Sequence, residues 1–253
     1  MKNKNFSKPL FYKNMYKDKK YKKEINFIIN KIRDLSKKNI IKGNTNILDL
    51  GCGVGGHSEK FADAGFIVTS VDINRDMLNT IPKNKKITTY HSDILTINLK
   101  KKFQIIVSLF HVINYINKKD IFKFFEICSK HLDKNHYLVL DSWHASAVIN
   151  LKPISTSKEF IYKNTKIIRK SKSLLNTNKD QVKVRHDFFA KSIHQNNFMF
   201  HEIHNMSYYS ITELKNYASL FNLKLIKTYK NFSNTQSDIN SWSVSYFFKK
   251  INN

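Results

Sequence analysis

Little in this chain could staple it, kink it or anchor it in a membrane. Two cysteines, Cys52 and Cys128, cannot cross-link 253 residues, and neither sits in a metal-type pair. Three prolines (Pro9, Pro82, Pro153) and six glycines leave no punctuation that marks a domain break. No apolar run approaches a membrane span. The opening MKNKNFSKPLFYKN has basic residues but no continuous apolar core, so it does not read as a secretory signal. Arginine is scarce as well: only Arg33, Arg75, Arg169 and Arg185, against 40 lysines. These absences point to a soluble, cytoplasmic protein of one domain, with no metal site.

What is present is charge. The net value is +25, yet residues 1–42 hold 14 basic and 3 acidic side chains, whereas residues 43–100 carry six of each. Surfaces that read bases favour the planar arginine fork. The chain also has 29 asparagines and many isoleucines. Lysine, asparagine and isoleucine rising together fit A/T-rich coding as well as nucleic-acid binding. A lysine-rich solvated surface is the simpler reading, and a preference for an anionic partner stays open.

Hydrophobic content of 41% suffices for a sizeable core. Ile25, Ile28, Ile29, Ile32 and Leu35 fall at helical spacing and predict a helix over 20–38. Strands are expected at 46–50, 66–71, 87–91, 103–109 and 136–141. Helices should lie between them at 56–64 and around Ile121, Phe124, Phe125, Cys128 and Leu132. That alternation predicts a doubly wound α/β fold with a mostly parallel sheet. Residues 159–169, 181–190 and 198–209 read as β without an intervening helix. Segment 152–209 is therefore expected to be an antiparallel insertion over the sheet's carboxyl edge, where open α/β sheets bind ligands. A helix at 211–221 and strands at 223–229 and 242–248 close the chain, with the last pair antiparallel. The expected layout is a basic helical lid (1–42), a cofactor-binding core (43–150), the insertion as a substrate wall, and the final helix and strands (210–253).

The strongest motif is Asp49-Leu50-Gly51-Cys52-Gly53-Val54-Gly55-Gly56, between a strand and a helix. Such a turn lets backbone approach a ligand and aims helix amides at it. Asp72 ends the next strand and can accept from both hydroxyls of a ribose. Gly51, Gly53 and Gly56 also satisfy a dinucleotide pattern. Asp49 would repel a pyrophosphate but suits an amino group, and Asp93 ends the following strand where it can accept from an adenine amine.

Taken in order, ILDLGCGVGGHS, VDINRDML, HSDI and the 103–115 segment resemble the successive motifs of class I S-adenosylmethionine-dependent methyltransferases. The resemblance implies a seven-stranded sheet with S-adenosylmethionine above its first strands. Asp49, Gly51 and Gly53 would line the methionine end, Asp72 the ribose and Asp93 the adenine. Cys52, Ile73, Ser92, Ile94, Leu109 and Phe110 would complete the cofactor wall. More narrowly, FYKNMYKDKKYKKE, SLFHVINY, LDSWHASAVI and HNMSYYSITEL look like a small-molecule group associated with sugar or polysaccharide modification. Lys13 stands where that group has an acid, and Ser207 where it has an arginine, so the acceptor does not transfer with the likeness.

Ser108-Leu109-Phe110-His111 lacks the proline expected of base-amine methyltransferases, and no cysteine follows a proline, which disfavours cytosine-carbon enzymes. His111, after the fourth strand, has the chemistry of a general base. Tyr12 and Tyr16 sit in the lid segment and complete the candidate catalytic set. Trp143, His144, His204 and Tyr208 are the candidate acceptor contacts, with Asp141 expected to position Trp143 and His144. The expected reaction is methyl transfer to a small acceptor, phosphorylated or nucleotide-linked, such as a sugar or surface-glycan precursor. The alternatives are an RNA methyltransferase or a non-catalytic basic nucleic-acid-binding protein.

Overall fold

The computed structural model describes residues 8–36, 41, 44–163, 165–191 and 198–251. Parts of the expected basic lid (1–7, 37–40 and 42) and of the insertion (164 and 192–197) lie outside the described residues.

Seven strands form one sheet: β1 (Asn46–Leu50), β2 (Ile67–Asp72), β3 (Ile87–His91), β4 (Phe103–Ser108), β5 (Leu132–Trp143), β10 (Leu223–Lys230) and β11 (Ser243–Lys250). Their order is β10-β11-β5-β4-β1-β2-β3, with only β11 antiparallel to its neighbours. The doubly wound expectation and the antiparallel last pair both hold. The central strands read as near-continuous apolar runs because helices cover both faces. On one face, α2 (Tyr21–Ser36) sets Ile25, Ile28, Ile29 and Ile32 against Phe61 of α3 (Gly56–Asp63) and Phe247. On the other, α5 (Ile121–His131) and α7 (Ile211–Ser219) pack Phe124, Phe125, Leu214 and Ala218 onto Leu48, Leu138 and Tyr246. A capping box starts α7: Glu213 N–H donates to Ser210 Oγ at 3.1 Å, and Ser210 N–H donates to Glu213 Oε2 at 2.7 Å. The short α4 (Arg75–Leu78) begins at Asn74, whose side chain accepts from the Asp76 and Met77 amides.

Three local expectations need correction. The stretch 159–169 is not one strand. It is β6 (Thr156–Tyr162) and β7 (Thr165–Asn176), folded back so that Tyr162 faces Thr165, with Lys163 in the left-handed region at φ 45°. The insertion therefore has four strands, completed by β8 (Gln181–Lys191) and β9 (Phe198–Ser207) in the order β6-β7-β8-β9, all antiparallel. β5 also runs longer at both ends than 136–141. A short α1 (Pro9–Met15) and α6 (Ala145–Leu151), too brief to show clear periodicity, flank the insertion. Among the described residues, no helix is long and apolar enough to cross a membrane.

Candidate active site

Two cavities meet above the carboxyl ends of β1, β2 and β4. The first, about 310 Å³, is lined by Gly51, Cys52, Gly53, Asp72, Ile73, Asp93, Ile94, Leu109 and Phe110, all anticipated from sequence. The glycine turn explains itself geometrically. Gly51 sits at φ +78°, and a Cβ there would lie 2.4 Å from Val112 Cγ1. Gly53, at φ +54°, faces open space, so any side chain would intrude on the cavity. Its amide donates to Asp72 Oδ2 and that of Asn74 to Asp72 Oδ1, both at 2.8 Å. Each carboxylate oxygen keeps a further lone pair for a ligand. Burial raises the Asp72 pKa, against the opposing pull of those two amides. Asp93 is held similarly, accepting from the Leu95 amide at 2.9 Å. Burial and the nearby Asp49 and Asp72 push the Cys52 thiol well up, so it stays neutral.

Two expected cofactor contacts fall elsewhere. Asp49 is only 2% exposed and lies behind the turn, where it accepts from Ser58 Oγ at 2.5 Å. Ser92 turns its hydroxyl to the Asp93 carbonyl and is off the cavity wall. Conversely, Tyr21 and Tyr115 line the cavity without having been singled out for it, and His57, whose place in the first helix after the glycine turn suggests a structural role or one near the cofactor, lines it too. His57 Nε2 lies 2.7 Å from Glu24 Oε2, which ties α3 to α2 beside the cofactor end.

The second cavity, about 560 Å³, lies between the carboxyl edge and the inner face of the four-stranded sheet. Tyr12, Phe110 and Tyr115 line both cavities. His111, Tyr16, Trp143 and His204, all candidate site residues from the sequence, line the second. Its floor comes from strict alternation: Arg169, Ser171 and Ser173 on β7, His186 and Phe188 on β8, Glu202 and His204 on β9.

After β4 the chain turns through two consecutive left-handed residues, Phe110 (φ 68°) and His111 (φ 63°). Such backbone costs free energy and persists only where surroundings hold it. Here Asp141 holds it: both carboxylate oxygens lie 3.2 Å from the His111 amide, and Oδ2 lies 2.8 Å from His111 Nδ1. Burial would raise the Asp141 pKa, but the His111 charge and bonds outweigh it and hold the carboxyl below its usual range. Asp141 thus orients His111 rather than Trp143 and His144.

Tyr12 and Tyr16 on and after α1 close over this point, with Tyr16 5.0 Å from the Phe110 ring centroid. Tyr115 Oη and His204 Nδ1 are 3.1 Å apart. Burial, with Arg169 and His204 nearby, pushes the His186 pKa down to about 3, so that ring is neutral.

Two expected acceptor contacts are misplaced. Alternation at the end of β5 sends Trp143 to the cavity and His144 away from it, 5% exposed and at the start of α6. Tyr208 packs with Val148, Val182, Val184 and Met206 in a small apolar core. Arg169, His186 and Glu202 were missed, and only the rarity of arginine could have drawn notice to Arg169. Among the described residues no three ligating side chains cluster for a metal.

This sheet order, glycine cradle and pair of strand-end acids define a class I methyltransferase site. The family model for a methyltransferase domain matches residues 17–228, and the chain belongs to that family. No curated protein sequence matches it. The fold is similar to an S-adenosylmethionine-dependent methyltransferase from Clostridium acetobutylicum (20% identity, TM-score 0.77, 96% of this chain and 97% of that one). It is also similar to the sugar N-methyltransferase KedS8 of Streptoalloteichus (14%, 0.78, 96% and 92%). A third likeness is to CalS10, an amino pentose methyltransferase from Micromonospora echinaspora (16%, 0.73, 95% of each). The chain is a methyltransferase whose cofactor is S-adenosylmethionine.

Proposed function

We propose that the enzyme methylates a sugar or a nucleotide-linked glycan precursor, and that His111 is its general base. The observation that carries this reading is the His111–Asp141 pair, with His111 on the wall of the second cavity next to Phe110, which lines both. S-adenosylmethionine supplies an electrophilic methyl on a positive sulfur. Gly51, Gly53, Asp72 and Asp93 are the residues suited to hold it. With Nδ1 turned to Asp141, the remaining nitrogen, Nε2, is the one free to take a proton from an acceptor hydroxyl or ammonium. Held there, S-adenosylmethionine would supply the methyl to an acceptor oxygen or nitrogen, its carbon–sulfur electron pair leaving with sulfur, and His111 Nε2 would receive the acceptor's proton. Tyr12, Tyr16 and Phe110 cover the junction and exclude water.

The size of the second cavity supports a small acceptor over a polymer. The likeness to the sugar N-methyltransferase KedS8 and the amino pentose methyltransferase CalS10 supports the same class. Replacing His111 by Ala tests the base. Turnover on a sugar acceptor should fall by roughly two to four orders of magnitude, with affinity for S-adenosylhomocysteine unchanged. Wild-type turnover in that variant would remove His111 from the chemistry.

A further inference from the structure

Arg169 is one of four arginines in a chain with 40 lysines, and it sits on the floor of the second cavity. Its guanidinium is only partly used. Nη1 donates to Tyr16 Oη at 3.1 Å, while the buried Nε has no hydrogen-bond partner. Among the described residues, no carboxylate forms an ion pair with it. Directly opposite on β6 is Lys158, in register with Arg169 and on the same face of the sheet. The Lys158 ammonium lies 4.7 Å above the Tyr16 ring. Two cations thus stand side by side over one tyrosine.

Like charges facing each other across a sheet are destabilising unless something compensates them. Asp18 acts on Lys158, but among the described residues no carboxylate pairs with Arg169. Glu202 lies two residues along the floor and pairs with His204 at 3.6 Å. His186 stays neutral. The remaining floor groups around Arg169 are Ser171 and Phe188. A planar arginine fork whose Nε lacks a partner, beside a neighbouring ammonium, forms a receptor for a planar or tetrahedral oxyanion, while the Ser171 hydroxyl is already engaged 2.8 Å from His186 Nδ1.

We propose that Arg169 and Lys158 form an anion subsite that anchors a carboxylate or phosphate of the acceptor. This rests on reading the second cavity as the acceptor's. The anion would sit on the four-stranded sheet, at the far side of Tyr16 from the cofactor cavity. Tyr16 touches both Phe110 at the junction and Arg169 at the anchor, so the charged end and the reacting end of the acceptor lie on opposite sides of one ring.

The test uses the full chain loaded with S-adenosylhomocysteine, titrated with inorganic phosphate, pyrophosphate or acetate at constant ionic strength. Calorimetry and the fluorescence of Trp143 and Trp242, which line this cavity, report binding. At least one oxyanion should bind saturably. Arg169→Gln should weaken that binding about tenfold or more, and Lys158→Gln by a smaller factor. The Lys158 variant leaves the Arg169–Tyr16 bond intact and so controls for loosening of the lid. Preference for acetate identifies a carboxylate anchor, and preference for phosphate or pyrophosphate a phosphorylated one. Chloride-like, non-saturating responses would overturn the proposal, as would equal affinity in wild type and Arg169→Gln. Retained S-adenosylhomocysteine binding with no oxyanion binding defeats the subsite alone. A His111→Ala enzyme with wild-type turnover defeats the broader reading instead.

Discussion

Glu24 on α2 and His57 on α3 meet at 2.7 Å, joining the amino-terminal helices to the helix that follows the glycine turn. Lys19 pairs with the same carboxylate. Burial alone would raise the Glu24 pKa, but His57 and Lys19 more than offset it and leave it lowered from 4.5. A carboxyl whose folded pKa is depressed contributes stability that is full above its unfolded value and is lost as pH falls through the folded one. Wild type should therefore melt higher than Glu24→Gln at pH 6. The gap should close as pH drops below about 4.5. A gap that stays constant to pH 3 would mean the pair contributes nothing.

Gly51→Ala should damage both fold and cofactor binding. The left-handed backbone costs about 1–2 kcal/mol for any other residue, and the crowding against Val112 about 1–3 more. Denaturant unfolding would register the loss, and S-adenosylhomocysteine affinity should fall with it. Unchanged stability would show that Val112 can yield.

Asp72→Ala removes the acceptor of two loop amides as well as the expected ribose contact. Calorimetry with S-adenosylhomocysteine should show a loss of about 1–3 kcal/mol. Unaltered affinity would dissociate this acid from the cofactor.

Asp141→Asn should reproduce much of the His111→Ala defect although it touches no substrate. An amide keeps the shape but not the charge facing Nδ1. Turnover should fall by at least about tenfold, with S-adenosylhomocysteine affinity intact. Full activity would show that His111 needs no carboxylate to orient it.

Tyr208 and His204 should separate stability from chemistry. Tyr208→Ala opens a cavity in a packed cluster and should cost about 3–5 kcal/mol in unfolding free energy. His204→Ala should lower turnover while leaving S-adenosylhomocysteine affinity near wild type. The reverse pattern would place Tyr208 in the acceptor cavity.

Cofactor residues were readable because they lie where local signals end: a glycine turn, then acids at the ends of β2 and β3. Asp49 belongs to the same motif, yet strand geometry turns it behind the turn and against Ser58. His144 failed because Trp143 takes the cavity-facing position, and which side of a strand meets a cavity depends on sheet packing that no short window contains. Tyr208 shares the parity of His204 and Met206 but lies one residue beyond the end of β9, where it packs against Val148 and Val182. The 159–169 stretch concealed a hairpin because Lys163, without glycine beside it, adopts a left-handed conformation. Arg169 was illegible because its role depends on Lys158 across one strand pair and Tyr16 from a distant helix.

The insertion begins and ends at nearly the same place. His144 forms a bridge with Tyr209, and Ala145 N–H donates to the Tyr209 carbonyl at 2.9 Å. Everything between those points, α6 and the four-stranded meander, is one uninterrupted loop of chain closed at its neck. The seven-stranded sheet and its glycine turn are built entirely outside that loop. The molecule is therefore constructed like a socket and a detachable head. Exchange of the segment between 145 and 208 would leave two neighbouring ends to be rejoined, while the cradle formed by Gly51, Gly53, Asp72 and Asp93 stays untouched.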